Sequence, residues 1–529
     1  MSKLVFWIEY LQMKWTKYRR QKLLIGEFKT WQKILLLICT AGLLGSLLLF
    51  HPQAQSLILD LGERLVGRAL NRPIWYSRIA RFRIRLCMTF VFFGFLLLPV
   101  RFGKTQFFSN ARKSISSFAK KPLLAFPILY IILLAIGFSL MCLVYSIPVK
   151  MMQDNLADSV SYFRISEQFG RQSVMGKKDS ALADFTDALM LIEAAHKSER
   201  SVPVAAMLNE RPDVKDKEPF GTLVSIYGDG NNEFNIVSYG RYWHGYEIFL
   251  KPLLYLATYG GIRRAMMLLQ ISLVIIFVVI LARKNRIAQI IPFLGMWIFL
   301  NPPTIMISLQ YNSMFVITMV ELILIASFDK SYYDIHRSKL FCLYHFFVVG
   351  CLTSYFDFLT YPLLTFGVPI IFLISLNEQN FRDNFVLLVK CAIFWSLGYV
   401  LMWAGKWILG SIVTGTNLLK QANDAIKFRT SSSVEGKGFS YFQVVLSNLR
   451  SGIFVPMILA ALAIFICNTK RGMSIQKKDL IFLVCALMPF AWYAVAQNHS
   501  FIHSSFTYRI LVITVFAILM LCVSMKREK

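Results

Sequence analysis

Residues 122–147 read PLLAFPILYIILLAIGFSLMCLVYSI and contain no Asp, Glu, Lys or Arg. A run of about 20 apolar residues is long enough to cross a bilayer as a helix. The whole chain has the same character, because 56% of its 529 residues are hydrophobic and 16% are charged. Soluble chains carry about 25% charged residues. The composition predicts a membrane protein and excludes a disordered chain, a fibrous repeat and a secreted disulfide scaffold.

The length rule predicts an all-α polytopic protein with about 12 transmembrane helices. The run near 287–301 is expected to break at Asn301-Pro302-Pro303. The expected spans lie near residues 34–50, 86–100, 122–147, 265–282, 287–301, 306–328, 340–357, 359–376, 385–411, 453–468, 480–496 and 510–525.

The net charge of +28 is distributed over short segments between the apolar runs. The positive-inside rule expects Lys and Arg in such cytoplasmic segments, so the charge is better explained by membrane topology than by nucleic-acid binding. The same rule predicts a cell membrane protein with both termini in the cytoplasm. Residues 51–85 disagree, since their seven arginines fall on the expected outer side. Two explanations stay open: an interfacial helix, or a first pair of spans that does not cross.

The expected spans divide the chain into two regions. Residues 1–121 form a cytoplasmic segment with a two-span appendage, and residues 122–529 form the main membrane domain. The long loop 149–250 holds 15 of the 29 acidic residues. By parity this loop and the loop 412–452 face the outside. Short apolar runs such as 188–192 predict that loop 149–250 is a helical extracytoplasmic domain lying on the membrane surface.

Two pairs of carboxylates stand out in the long loop. Asp154 and Asp158 are four residues apart, and Asp184 and Asp187 precede a helix-forming stretch. Each pair is a candidate proton acceptor for a substrate hydroxyl. The structural alternatives are a solvated juxtamembrane helix for the first pair and an N-terminal helix cap for the second.

The chain returns to the membrane through Arg241-Tyr-Trp243-His244-Gly-Tyr. Tyr and Trp are usual at a membrane interface. Arg241, His244 and Glu247 are interleaved with these rings, and this mixture suits a polyhydroxylated ring that stacks on an aromatic side chain, with an anionic group beside Arg241. Asp357 lies among apolar residues between two expected spans, and Arg429 lies in the outer loop. An ionisable group at such a depth is usually functional, and helix capping is the alternative for Asp357.

The last outer segment, Asn498-His499-Ser-Phe-Ile-His503-Ser-Ser-Phe-Thr-Tyr508-Arg509, carries several hydrogen-bonding side chains. His499 and His503 would share one helical face. Position 500 is Ser, so the HExxH metalloprotease motif is absent, and a divalent metal is left open as an alternative. We interpret the histidines as hydrogen-bonding groups and Arg509 as a phosphate ligand. Parity places all of these clusters on one face of the membrane.

Together, the long outer loop with its acidic residues, the Tyr-Trp-His244-Gly-Tyr segment, the Phe-Asp357-Phe-Leu-Thr-Tyr-Pro turn and the segment 498–509 resemble the GT-C superfamily of integral-membrane glycosyltransferases. The resemblance covers residues 122–529 and implies a polyprenyl-phosphate-linked sugar donor, transfer on the outer face and a loop carboxylate as general base. GT-C enzymes often carry an adjacent acidic pair, whereas the acidic pairs here are spaced.

The resemblance leads to an expected function: transfer of a sugar from a polyprenyl phosphosugar to an extracytoplasmic acceptor, such as a cell-envelope glycan. Asp187 is the first candidate for the base and Asp154 the second. Arg509 and Arg241 would hold the phosphate with help from Arg429. The expected co-substrate is the lipid-linked donor, and no other cofactor is assigned. Two alternatives stay open: a transporter or flippase of lipid-linked sugars, and a non-catalytic scaffold of a glycan-assembly complex.

Overall fold

The computed structural model describes residues 121–174, 181–327, 335–377, 379–434, 436–450 and 453–527, together with residue 60. In these ranges the chain is mostly α-helical, with three short two-stranded antiparallel sheets. The spans expected near 34–50 and 86–100, and the arginines of 51–85, lie outside the described residues.

The first described helix, α1 (Pro122–Tyr145), corresponds to the apolar run that predicts the fold. The long loop after it is mainly helical, with one two-stranded sheet that the sequence patterns do not predict. Its elements are α2 (Lys150–Ala157), α3 (Ser161–Phe169), α4 (Asp184–Ala195), α5 (Val202–Leu208), β1 (Glu210–Asp213), α6 (Pro219–Tyr227), β2 (Asn235–Ser238) and α7 (Glu247–Leu256). Strands β1 and β2 pair antiparallel, with Glu210 opposite Ser238.

The middle of the chain contains several long apolar helices and some shorter ones. They are α8 (Tyr259–Arg283), α9 (Ile290–Phe299), α10 (Pro302–Ile305), α11 (Leu309–Ser327), α12 (Ile335–Phe356), α13 (Leu364–Ser375) and α14 (Phe381–Thr414). Helix α9 ends just before the predicted break, where Asn301 adopts a left-handed conformation and Pro302 begins α10. Proline at the first position of a helix lacks an N–H that would have no partner there.

The last part of the chain consists mainly of helices, with four strands of two residues each. Its elements are α15 (Leu418–Thr430), β3 (Ser433–Val434), β4 (Lys437–Gly438), α16 (Tyr441–Leu449), α17 (Phe454–Lys470), β5 (Met473–Ser474), α18 (Ile481–Ala486), α19 (Met488–Val495), α20 (Gln497–Ile502), α21 (Ser504–Thr507), α22 (Val512–Ser524) and β6 (Lys526–Arg527). Strand β3 pairs with β4 and β5 pairs with β6, both antiparallel.

Six stretches of the described chain are helical, long and apolar enough to cross a membrane: α1, α8, α11, α14, Lys477–Val495 and Ser504–Ser524. A seventh is added if α16 and α17 together form one broken span. Three further apolar helices, Ile287–Phe299, Leu340–Phe356 and Leu364–Ser375, are shorter than a usual span. The described residues therefore support a mostly helical chain with several membrane-length helices, and they do not reach the expected number of about 12 spans.

Helices α12 and α14 approach each other closely through glycine. A Cβ atom added to Gly350 would collide with the carbonyl group of Trp395, and one added to Gly398 would collide with that of Phe347. Small residues at such positions allow two apolar helices to pack backbone against backbone. This contact fixes the position of Trp395 and of the helix face that carries it.

The apolar core lies between α9, α11, α13, α18 and α22, and nearly every residue of α22 is buried in it. A second core lies in the long loop, where α2, α4 and α6 pack through Leu156, Leu191 and Leu223 and reach Tyr259 at the start of α8. The loop helices therefore form a layer packed on the membrane-length helices, and the candidate site lies where this layer meets α11, α15 and the segment 496–509.

Candidate functional site

A cavity of about 170 Å³ lies between the long loop and the C-terminal helices, and we call it the polar cavity. Residues from several segments that are distant in sequence line it. Its lining includes Arg171, Thr186, Tyr239, Tyr242, Gln310, Tyr311, Phe358, Arg429, His499, His503, Ser505 and Phe506. Within the described ranges, two arginines line the cavity and none of the lining side chains is a carboxylate.

Arg429 connects the two histidines of the segment 498–509. One terminal guanidinium nitrogen, Nη1, lies 2.9 Å from His503 Nε2 and 3.2 Å from His499 Nδ1. The other ring nitrogen of His499, Nε2, lies 2.6 Å from the carbonyl oxygen of Leu359. Arginine only donates hydrogen bonds, so each contacted imidazole nitrogen must be the acceptor. The contacts thus require neutral histidines.

The electrostatic surroundings favour the same neutral state. Burial lowers the pKa of His503 to about 4, with the nearby cations Arg429 and Arg171 acting in the same direction. Burial also holds the pKa of His499 well below its ordinary value, and His503 and Arg429 add to this effect. At neutral pH both imidazoles are therefore uncharged.

His244 does not line the polar cavity but supports one wall of it. Its Nε2 lies 2.9 Å from the carbonyl oxygen of Tyr239, and its Nδ1 lies 2.9 Å from Tyr246 Oη and 3.0 Å from Glu193 Oε1. Tyr246 donates to the other carboxylate oxygen of Glu193 at 3.0 Å. Both ring nitrogens are therefore engaged by the protein, and His244 positions Tyr239.

The two carboxylates at the start of α4 are buried and bonded to protein groups. Asp187 accepts hydrogen bonds from Tyr259 Oη at 2.7 Å, from Leu309 N at 2.9 Å and from Gln310 N at 3.1 Å. It thereby caps the N-terminus of α11, a common role for a carboxylate. Asp184 accepts from Ser166 Oγ at 2.7 Å. Burial raises the pKa of Asp187 to about 7, although its three donors act against this shift.

Asp154, Asp158 and Asp357 also lie outside the cavity lining. Asp154 is exposed on α2 and pairs with Lys150 at 3.1 Å, and Asp158 is exposed at the end of the same helix. Asp357 is buried and accepts from the backbone N–H of Thr360 at 3.0 Å and from its hydroxyl group. Asp357 therefore stabilises the turn that brings Phe358 to the cavity. This role resembles helix capping, the structural alternative given for Asp357 above.

Arg509 and Tyr508 lie in the protein interior. The Arg509 guanidinium donates to the carbonyl oxygens of Leu300 at 3.3 Å and Ser505 at 3.4 Å. It stacks on Tyr311 at 4.3 Å and on Tyr508 at 4.8 Å. Arg509 is fully buried and does not line the cavity, but it supports Tyr311, which does.

Trp243 and Asn498 are buried at structural contacts. Trp243 donates from Nε1 to the carbonyl oxygen of Met402 at 2.7 Å. Asn498 donates to the carbonyl oxygen of Ser433 at 2.7 Å and holds the chain that follows α15. Of the predicted substrate-binding residues, the structure therefore brings Arg429, His499 and His503 into the polar cavity.

A second and larger cavity of about 600 Å³ adjoins α14, α15 and α19, and we call it the apolar groove. Four aromatic residues of α14 line it at intervals of four: Trp395, Tyr399, Trp403 and Trp407. Neighbouring rings are 5.2 to 5.8 Å apart between centroids, so they form a continuous aromatic ladder along one helix face. Val400 and Val495, which also line the groove, are 60% and 65% exposed, so it opens to the surface of the membrane-length helices.

The groove and the cavity share two lining residues, Tyr242 and Arg429. Arg241 also lines the groove, and its guanidinium stacks on the cavity residue Tyr239 at 4.3 Å. Two cations, Arg241 and Arg429, therefore lie where an apolar space meets a polar one. We call this place the junction.

Three polar atoms of the groove lining are buried without a hydrogen-bond partner among the described residues. They are Arg241 Nε, Tyr399 Oη and Trp492 Nε1. Buried polar groups in proteins are normally paired. These three atoms therefore leave hydrogen-bonding capacity unused in the residues that form the groove wall.

The sequence patterns do not single out several of these residues. Arg171 and Tyr311 lie outside every cluster noted above, and nothing in their immediate sequence marks them. The ladder does have a signal, because aromatic residues at 395, 399, 403 and 407 fall on one face of a helix. The described residues contain no group of three His, Cys, Asp or Glu side chains suited to a metal ion.

No protein-family model, no curated protein and no solved structure matches this chain. A function for the chain must therefore be inferred from the geometry of the cavity and the groove.

Proposed function

We propose that this chain is an integral-membrane glycosyltransferase that takes a sugar from a polyprenyl-phosphate-linked donor. The observation that carries the proposal is the junction of the apolar groove and the polar cavity at Arg241 and Arg429. Such a donor has a long apolar chain, an anionic phosphate and a polar sugar in that order. The groove, the two cations and the cavity follow one another in the same order.

The apolar groove suits the polyprenyl chain. A branched, unsaturated hydrocarbon gains most from broad apolar contact, and the aromatic ladder of α14 offers four rings along one face. Val400 and Val495 are lining residues exposed at the surface, so the chain would enter the groove there from the lipid without crossing water. Apolar sites with a few convergent polar groups are typical of ligand binding.

The phosphate would bind at the junction. A guanidinium group can donate two parallel hydrogen bonds to a phosphate, which an ammonium group cannot reproduce. Arg241 has a buried Nε without a partner among the residues described, and Arg429 is held on neutral imidazoles. As the sugar–phosphate bond breaks, negative charge grows on the phosphate, and these cations would stabilise it in the transition state.

The sugar would occupy the polar cavity. Tyr239, Tyr242 and Tyr311 supply aromatic faces and hydroxyl groups there, and Gln310 supplies an amide. Aromatic faces stack on the apolar side of a sugar ring while polar groups bind its hydroxyls. The proposed acceptor is a glycan or another cell-envelope molecule, with the site on the outer side of the membrane, as the Lys and Arg distribution predicts.

The carboxylates receive supporting roles in this proposal. A general base must come within hydrogen-bond distance of the acceptor hydroxyl. Asp187 is enclosed by three donors, and Asp154 is exposed in a salt bridge with Lys150. We therefore assign Asp187 to positioning α11, whose residues Gln310 and Tyr311 line the cavity.

Binding of undecaprenyl phosphate to the purified full-length protein tests the proposal. Arg429→Gln and Arg241→Gln are each expected to weaken binding by about tenfold or more, because a charge-assisted contact is lost. Lys427→Gln is the matched control, since Lys427 lies on α15 near Arg429 but is exposed and outside both cavities. Equal binding by all of these variants and the wild type, or no binding by any, would reject the proposed donor class.

A transporter of lipid-linked sugars is the second candidate, and one contact favours it. Glu321 Oε2 on the membrane-length helix α11 lies 3.5 Å from His345 Nε2 on α12, and both side chains are largely buried. Ionisable groups inside a membrane often mark proton or ion pathways. Flipping of a fluorescent polyprenyl phosphosugar in proteoliposomes, abolished by Glu321→Gln, would support transport over transfer.

A further inference from the structure

The Arg429 guanidinium occupies the acceptor nitrogens of both histidines of the polar cavity. Its Nη1 atom carries two hydrogens, one for His503 Nε2 at 2.9 Å and one for His499 Nδ1 at 3.2 Å. The two imidazoles are themselves close, with ring centroids 4.8 Å apart. Neither acceptor nitrogen is available to a substrate hydroxyl while this arrangement persists.

The two histidines differ in what else holds them. His499 is buried, and its second nitrogen donates to the carbonyl oxygen of Leu359. His503 is only half-buried, lines the cavity and stacks on Phe506 with the ring centroids 5.1 Å apart. Stacking fixes the plane of the His503 ring without engaging its nitrogens. His503 is thus the member of the pair whose Nε2 atom can be released into the cavity.

Arg429 also lies at the junction where the donor phosphate is proposed to bind. In a hydrogen bond from a guanidinium group to an anionic oxygen both partners are charged, whereas in a bond to a neutral imidazole only the donor is charged. An anion at the junction would therefore compete successfully with a neutral imidazole for the same N–H group. The guanidinium would turn toward the phosphate, and the lone pair on His503 Nε2 would become free.

From these contacts we propose that His503 is the proton acceptor of the transfer reaction, and that the donor phosphate exposes its Nε2 atom by drawing Arg429 away. This inference rests on the proposed function. The oxygen of the acceptor hydroxyl forms the new bond to the anomeric carbon, and its proton moves to His503 Nε2. The bond between that carbon and the phosphate oxygen breaks, and its electron pair leaves with the polyprenyl phosphate. The imidazolium then returns its proton to water.

The charges around His503 show what the release of His503 from Arg429 would achieve. The charged and titratable groups that line the cavity with it are Arg429 on α15, Arg171 after α3, the neutral His499 on α20, Tyr311 on α11, and Tyr239 and Tyr242 after β2. Burial, and with it the two cations, keeps His503 neutral and a weak base while the site is empty. When phosphate neutralises Arg429, the pKa of His503 should rise and the imidazole become a stronger base. A proton acceptor would thus form only when the donor is in place.

Histidine NMR on the full-length protein in detergent micelles tests this inference. The protein is labelled with 13C at histidine Cε1, and the His503 signal is assigned from its loss in His503→Gln. Undecaprenyl phosphate is the probe. We expect the pKa of His503 to rise by about one unit or more when the lipid binds. Arg429→Gln should show a raised pKa without lipid.

The transfer assay supplies the second measurement, with a polyprenyl phosphosugar as donor. His503→Gln is expected to lower kcat by about 100-fold or more, while KM for the donor changes by less than about threefold. His196→Gln, at the end of α4 and outside both cavities, is the control and should keep the wild-type rate.

The outcomes separate this inference from the proposed function. If undecaprenyl phosphate does not bind to the wild-type protein, the proposed function fails and this inference fails with it. If the lipid binds and the wild type transfers sugar, but the His503 titration stays unchanged by lipid and by Arg429→Gln, only the inference is overturned. Wild-type kcat in His503→Gln overturns it as well.

Discussion

The indole N–H of Trp407 donates a hydrogen bond to the carbonyl oxygen of Arg241 at 2.8 Å. Trp407 is the last ring of the aromatic ladder on α14, and Arg241 belongs to the segment that carries Tyr239 and Tyr242 into the polar cavity. The bond therefore attaches the wall of the apolar groove to the wall of the cavity. A ligand that spreads the groove would act directly on the position of Arg241.

Filling the groove should block the proposed donor. Ser396 lines the groove on α14, so Ser396→Trp places an indole in the space assigned to the polyprenyl chain. We expect transfer from a polyprenyl phosphosugar to fall by about tenfold or more, because loss of the apolar contacts should cost more than about 1.4 kcal/mol of binding free energy. The measurement is the initial rate of transfer by the reconstituted protein.

The next residue of the same helix provides the control for this prediction. Leu397 is 45% exposed and does not line the groove, so Leu397→Trp adds the same side chain on a different face of α14. It should keep transfer close to the wild-type rate. Equal losses in both variants would indicate a general effect on α14. They would contradict the assignment of the polyprenyl chain to the groove.

Arg509 should contribute to stability more than to donor binding. Its guanidinium bridges the carbonyl oxygens of Leu300 and Ser505 and stacks on Tyr311, and lysine cannot form all of these contacts. Arg509→Lys is expected to reduce the free energy of unfolding by about 1–3 kcal/mol. The check is a thermal unfolding curve together with the KM for the donor, which should stay within about threefold of the wild-type value.

The exposed Arg471 provides a comparison, since Arg471→Lys makes the same substitution at the surface and should leave the unfolding curve unchanged. A stable Arg509→Lys protein that no longer binds undecaprenyl phosphate would instead support Arg509 as a direct phosphate ligand.

The stability of the protein should fall in mild acid, in part because of His503. Burial and the adjacent arginines lower its pKa to about 4 in the folded protein, against about 6.5 in the unfolded chain. Between these values the unfolded state binds more protons, so the stabilisation is present above about pH 6.5 and is lost as the pH falls toward about 4. The loss attributable to His503 at about pH 5 should reach about 2 kcal/mol.

This pH effect is measured as a difference between two proteins. Buried carboxyl groups such as Asp187, with a pKa raised to about 7, have the opposite dependence and are common to both. The wild-type protein should lose more thermal stability between about pH 7 and about pH 5 than His503→Gln does. Parallel curves would show that His503 is not held neutral in the folded state.

The apolar runs predict the positions of the long helices well and their ends less well. The run 385–411 corresponds to α14, which extends from 381 to 414. Lys406 lies inside this run, and the sequence alone does not show how its charge is accommodated. In the structure its ammonium group donates to Asn209 Oδ1 at 2.9 Å, in the long loop. A partner that is 197 residues distant in sequence is invisible to a local pattern.

The residues of the polar cavity are predictable from the sequence only in part. The pattern on 498–509 singles out a segment that reaches the cavity, where His499 and His503 are part of the lining. The same segment contains Arg509, which is buried in the interior and does not line the cavity. Arg429, from a different segment, does line it. The sequence alone gives Arg429 and Arg509 the same description, an arginine outside an expected span. The direction of each side chain depends on how α11, α15 and α21 pack together, which no single segment encodes.

Helix α14 carries the ladder, so its packing against α12 should control the shape of the groove. The two helices meet where a Cβ on Gly350 would overlap the backbone carbonyl of Trp395, the first ring of the ladder. Backbone atoms cannot move aside like the end of a flexible side chain, and overpacking of this kind usually costs about 1–3 kcal/mol. Gly350→Ala is therefore expected to lower the thermal unfolding temperature and to reduce binding of undecaprenyl phosphate by displacing Trp395.

The chain offers a glycine with free space around it as the control for Gly350→Ala. A Cβ added to Gly438 has only a distant contact with the Ser432 carbonyl oxygen at 3.9 Å, so Gly438→Ala should change neither the unfolding temperature nor lipid binding. If Gly350→Ala behaves like this control in both measurements, the two helices do not need their close contact. The ladder must then be fixed by other neighbours such as Thr365, which accepts a hydrogen bond from Trp395 Nε1 at 3.2 Å.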